Sequence, residues 1–216
     1  MRSILAILVG AVTLSGVAQA QTGTASDPNR GYVEGVAQSA FGNVTSQSFG
    51  GEVGITVLPK VVVFLEAGRV NDVTTSQLGA AAQAIAGGIG LTQANVTYHV
   101  KEPATFGILG AKYVVPTSGS VRPYVLAGGG LAHVSQNASF AVGGTDVTTT
   151  LATYGVTLGS DLSGNFTKPM MVVGGGAMYT AWHSVVVDLQ YRYGRIFADG
   201  TGINVSRVGI GFGVRF

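Results

Sequence analysis

Three residues of this chain have the types and spacing of a hydrolytic centre. His133-Val134-Ser135 puts an imidazole and a hydroxyl at i and i+2, on one face of an extended strand. A histidine beside a serine activates it as a nucleophile when an acid orients the ring, and Asp146, in the segment that follows, is the available acid. This reading is the weaker one; the residues read more simply as polar positions at the outer end of a strand. His99, His133 and His183 are too scattered for a metal-site spacing, and with no Cys there is no thiolate ligand, cysteine nucleophile or disulfide. No metal and no cofactor are expected. Gly209, Gly211 and Gly213 alternate along a segment with no helix after it, so a phosphate would find no helix N-terminus there.

The second set is ionic. Glu34, Glu52, Glu66 and Asp188 face Lys112, Arg122, Arg192 and Arg207, four acids against four bases, as the inward candidates of otherwise apolar segments. Unpaired in a dry interior each would be costly, so an internal salt-bridge network is expected. The functional alternative is a gate whose ion pairs switch to pass small ions, a narrow channel whose balanced signs favour neither charge.

Such residues need a wall to hold them, and the composition says which kind. Only 10% of the 216 residues are charged, against roughly 25% in ordinary soluble domains, while 46% are hydrophobic and 34 are Gly. The net charge is +2, with no clustered Lys and Arg, which argues against a nucleic-acid partner. Residues 185–193 alternate: Val185, Val187, Leu189, Tyr191 and Tyr193 are apolar or aromatic, with Asp188, Gln190 and Arg192 between them. Residues 207–216 repeat the split, with Val208, Ile210, Phe212, Val214 and Phe216 on one face and Arg207, Arg215 and glycines on the other. A helix with this pattern would have no coherent apolar stripe. A strand so built is greasy on one face and ionic on the other.

Weaker alternation gives further strands at 31–41, 46–57, 61–70, 97–115, 121–134 and 170–182, the last without a readable phase because Gly174 to Gly176 erase the contrast. Tight turns at 58–60, 116–120 and 182–184 follow alternate strands. The other links, 42–45, 71–96, 135–168 and 198–202, include two long ones rich in Gly, Ser, Thr and Asn, and 76–85 looks briefly helical. Short turns on one rim and longer loops on the other are the pattern of an outer-membrane barrel. The expectation is an all-β fold, an eight-stranded antiparallel up-and-down transmembrane β-barrel, with ten strands possible if 140–158 forms its own hairpin. An eight-stranded barrel is just wide enough to be filled by its own side chains. Glycine on its inner face would make room for Arg and Tyr side chains of neighbouring strands.

Residues 1–20 read as a signal peptide. Met1-Arg2 start it, 3–17 are its apolar core, and Ala18-Gln19-Ala20 is a small-x-small cleavage site, which leaves 21–216 as the barrel. About 15 apolar residues are too few for a spanning helix, which needs roughly 20.

The strand Asp188-Leu189-Gln190-Tyr191-Arg192-Tyr193 and the terminal Gly211-Phe212-Gly213-Val214-Arg215-Phe216 resemble the OmpA/OmpX-type family of small outer-membrane β-barrel proteins. The resemblance implies a monomeric barrel in the outer membrane of a Gram-negative-type cell, with outer-membrane lipid as its surroundings. It also implies Phe216 as the signal read by the barrel assembly machinery. Nothing follows Phe216, so the peptidoglycan-binding domain of longer relatives is not expected. Tyr113, Tyr179 and Trp182 near the turns, and Phe41, Phe49 and Tyr193 near the loops, are expected to form two interfacial aromatic girdles. His133-Val134-Ser135 is faintly similar to the His-x-Ser of lipid A deacylase barrels. The chain is expected to be no enzyme, but a structural or surface-interaction protein whose unknown extracellular partner meets the long loops.

Overall fold

The computed structural model describes residues 30–157, 159, 162–182, 184–198 and 202–216, and there the alternating segments are antiparallel strands. In chain order they are β1 (Gly31–Phe41), β2 (Ser46–Leu58), β3 (Val61–Val70), β4 (Val96–Lys101), β5 (Ala104–Val114), β6 (Val121–Val142), β7 (Thr145–Asp146), β8 (Ser163–Ala181), β9 (Val185–Ile196) and β10 (Ile203–Arg215). Helix α1 (Ser76–Gly90) lies between β3 and β4, and a 3₁₀ segment (Thr148–Tyr154) between β7 and β8. The signal-peptide reading of residues 1–20, and His183, lie outside the described residues.

Eight strands close a ring in the order β6-β5-β3-β2-β1-β10-β9-β8, sealed where β6 pairs with β8. The first and last strands meet: Val33 opposes Val214 and Ala40 opposes Arg207. Closure removes the free edges of the eight-strand ring, while β4, above it, pairs with β6 alone. The outer strands follow the sequence parity. Leu189 and Tyr191 are 60% and 49% exposed, while Asp188 and Arg192 on either side of them are fully buried.

Two features depart from the expected layout. The strand expected at 97–115 is broken at Glu102 and Pro103, because proline has no N–H to continue a ladder. Its lower part, β5, pairs with Tyr124 to Val134 of β6, and its upper part, β4, continues along the same flank to Val142. The segments 135–142 and 163–169, expected in a long loop, extend β6 and β8 as a paired wall, with Ser135 opposite Asn165 and Asn137 opposite Ser163. Their Ser, Asn and Gln content reads as loop, yet a ladder needs only backbone groups. The ten-strand alternative reduces to β7, which pairs with Ala141 and Val142 and adds nothing to the ring.

The structure also phases β8. Met170, Val172 and Met178 are buried, while Met171, Val173 and Tyr179 are exposed. Above the ring sits α1, longer than the stretch expected at 76–85. Thr75 caps it by accepting from the Leu78 amide at 3.3 Å, and its buried stripe of Leu78, Ala82, Ala86 and Ile89 packs with Ala138, Phe140 and Leu151. The helix thus lies against the inner face of the β6 extension.

Candidate functional site

Lumen-facing parity brings distant residues into one ionic relay. Lys112 Nζ on β5 lies 2.5 Å from Glu52 Oε1 on β2 and 3.6 Å from Asp188 Oδ2 on β9. Glu52 Oε2 in turn meets Arg192 Nη2 at 2.5 Å, and the other arm of Arg192 pairs with Glu66. Glu66 Oε1 then takes Arg207 Nη1 at 3.0 Å, which also donates to Gln38 Oε1 at 3.3 Å. Gln38 closes the run by donating to Gln190 Oε1 at 3.3 Å. Every charged member of this chain is buried. Charge in such surroundings is tolerable only when paired, and here each guanidinium or ammonium has at least one carboxylate.

Aromatic rings complete the plug. Tyr32 donates its hydroxyl to Glu52, and Tyr124 donates to Asp188 at 2.7 Å. Lys112 Nζ lies 4.5 Å from the Tyr124 ring centre and 5.1 Å from that of Tyr32, and the Arg207 guanidinium is 4.3 Å from the centre of Phe106. Glycine makes room for these rings at several places. A Cβ on Gly54 would lie 2.7 Å from the Tyr32 hydroxyl, and one on Gly110 would lie 2.7 Å from the Phe64 ring.

Two of the eight expected network residues stand apart. Glu34 is 2% exposed, yet neither of its carboxylate oxygens has a hydrogen-bond partner in the structure. Arg122 is only half-buried, and among the described residues it makes none of the ion pairs above. It stands at the start of β6 near the turn rim, where water can solvate it. The expected balance of four acids and four bases therefore becomes four buried acids against the buried bases Lys112, Arg192 and Arg207. Tyr32, Tyr124, Gln38 and Gln190 were missed as network members. Their parity was the available signal: Tyr32, Tyr124 and Gln190 each lie two residues from a charged position on the same face, and Gln38 lies four from Glu34.

His133, Ser135 and Asp146 are not joined. The His133 ring Nδ1 lies 2.9 Å from Thr167 Oγ1 on the outer wall, and Asp146 Oδ1 accepts the Thr148 amide at 2.8 Å. Those bonds from Thr148 hold the Asp146 carboxyl below its usual range. Among the described residues, no group of three or more His, Asp or Glu could hold a metal ion.

Of the aromatics expected to form two girdles, Phe41, Phe49, Tyr113, Tyr179 and Trp182 are exposed and Tyr193 is half-buried. Tyr113 and Tyr179 are 47% and 46% exposed near the turns, with Trp182 beyond them. Phe41, Phe49 and Tyr193 lie at the loop rim, where Tyr193 donates its hydroxyl to Asn204 Oδ1 at 2.9 Å. Phe216 exchanges backbone hydrogen bonds with Gly31 at 2.8 and 2.9 Å. At the loop end a cavity of about 350 Å³ opens between α1 and the barrel mouth, lined by Leu78, Glu102, Gln136, Phe166, Lys168 and Ile203.

No family model matches the sequence, and no curated protein matches it. Solved structures do. Neisserial surface protein A aligns over 86% of this chain and 96% of its own, with a TM-score of 0.53 at 16% identity. A major outer membrane protein from Thermus thermophilus aligns over 86% of this chain and 99% of its own, with a TM-score of 0.52 at 9% identity. The chain has the fold of the small outer-membrane β-barrels, the architecture of the OmpA/OmpX type.

Proposed function

We propose that this protein resides in the outer membrane of a Gram-negative-type bacterium, after Sec-type export, as a plugged barrel with a structural and surface-interaction role. One observation carries the reading: the usual arrangement of polarity is inverted. Leu65, Leu109, Leu131, Leu189, Ile210 and Phe212 are exposed around the wall, while Glu52, Glu66, Asp188, Lys112, Arg192 and Arg207 are buried inside it. Acyl chains solvate such an exterior, and water does not. Phe216 is the residue that the assembly machinery would read, and the closed eight-strand ring offers no edge for a second copy, in keeping with a monomer. Surface contact falls to α1, the β6–β8 extension and the cavity between α1 and the mouth. Cell fractionation followed by electrophoresis with and without boiling tests the reading. A heat-shifted band in the outer-membrane fraction is expected, and a soluble periplasmic band with no heat shift would overturn it.

The narrow-channel reading meets the relay from Asp188 to Gln190, which fills the lumen. Planar bilayers holding the folded protein should therefore show no conductance steps. We also take the chain to be no enzyme. Lipid A acylation should be the same in cells carrying His133→Ala as in cells carrying the unaltered protein.

A further inference from the structure

The outer wall carries cations that neither the lumen nor the fold employs. Arg69 on β3 and His99 and Lys101 on β4 are exposed, and their side chains enter no ion pair among the described residues. They line one open groove of about 700 Å³ with Asn137, Ser139 and Ser163, and among the described residues no acidic side chain lines it. The register fixes its height. Arg69, Thr105, His133 and Thr167 oppose one another in a row across β3, β5, β6 and β8. On the turn side of that row the outward positions become aliphatic, with Leu65, Leu109, Leu131 and Met171 exposed. On its other side lie Lys101 opposite Asn137 and His99 opposite Ser139. Phe140, with the parity opposite to Ser139, is buried against the helix that caps the mouth, so the side chains of His99 and Ser139 face away from the lumen.

We infer that this groove docks the phosphate of an outer-leaflet lipid headgroup, an inference that rests on the outer-membrane reading above. The argument is position together with charge. A groove just beyond the apolar band lets one molecule lay its acyl chains on Leu65, Leu109 and Leu131 while its phosphate reaches the cations. Arg69 presents a fork of N–H donors suited to phosphate oxygens, and Lys101 a compact positive charge. A free phosphate would gain only the second half of that contact, from side chains that water already solvates.

The experiment uses the full folded barrel in phosphatidylcholine nanodiscs with and without diphosphoryl lipid A, with bound lipid counted by native mass spectrometry. The unaltered protein and Lys60→Gln, a control at the turn rim, should retain lipid A. Neutralising Arg69 and Lys101 to Gln should each weaken retention about fivefold, the effect of one basic residue near a charged lipid surface. The triple variant with His99→Gln should fall further. A triple variant that keeps its heat-shifted band and retains lipid A as well as the unaltered protein would overturn the inference. Inorganic phosphate displacing lipid A from the unaltered protein would overturn the commitment to a lipid. Failure of the unaltered chain to enter the bilayer would overturn the outer-membrane reading, and this inference with it.

Discussion

Arg192 on β9 reaches Glu52 on β2 at 2.5 Å, across a lumen whose wall places β10 and β1 between those two strands. The contact joins strands three steps apart around the eight-strand ring, and Glu52 shares it with Lys112 from a third direction. Glu52 is therefore the residue whose loss strands the most charge.

Glu52→Gln should destabilise the folded barrel by about 3–5 kcal/mol, because it leaves Lys112 without its short ion pair and halves the support of Arg192. Urea unfolding of the refolded protein, followed on gels, measures it. Replacing Glu52 and Lys112 together by Leu and Met should cost less than the two single changes summed.

Gly54→Ala should cost about 1–3 kcal/mol by forcing the Tyr32 ring out of its seat. The same unfolding measurement in a Tyr32→Ala background should show a smaller penalty for the glycine change. An equal penalty in both backgrounds would mean that the ring is not the cause.

Leu189→Arg, in the middle of the outward band, should cost about 2–4 kcal/mol in a bilayer, whereas Ser206→Arg near the loop rim should cost about 0–1. Unfolding in lipid vesicles compares them. Equal costs would argue against an acyl band along β9 and β10.

Deleting Phe216 removes the paired backbone bonds to Gly31 that seal the base of the β1–β10 seam. On the proposed role of Phe216 as the residue the assembly machinery reads, outer-membrane levels in cells should fall sharply while refolding in detergent persists. Western blots of fractions, set beside in vitro refolding yields, measure both.

Asp146 makes the loop end sensitive to acid. Its carboxyl titrates below the usual range because Thr148 donates to the ionised form. The stabilisation is thus complete above the ordinary carboxylate pKa and is lost as pH falls through the depressed folded value. Protection of the Thr148 amide, taken relative to its intrinsic exchange rate at each pH, should fall under acid, and in Asp146→Asn that fall should be absent.

The wall was legible because a side-chain period of two is imposed wherever its faces meet different surroundings. Val185 to Tyr193 declared their faces without ambiguity, and Asp188 and Arg192 are buried as that parity requires. Legibility failed where the surroundings match on both sides. Gly174 to Gly176 have no side chains to sort, and the phase of β8 came from the methionines flanking them. The upper parts of β6 and β8 rise beyond the apolar band, so polar residues occupy their outer face and the text reads as loop. The ionic set was readable as residue types, but partner choice was not. That Glu52 rather than Glu34 receives Lys112 and Arg192 depends on reach across the lumen, which parity does not encode.

Pairing of β1 with β10 imposes an order of events in the cell. A nascent chain holding only the earlier strands has two unsatisfied flanks and cannot seal, so residues 203–215 must leave the ribosome before any stable cylinder exists. Closure of the ring is therefore necessarily post-translational, completed only once the last strand has been made.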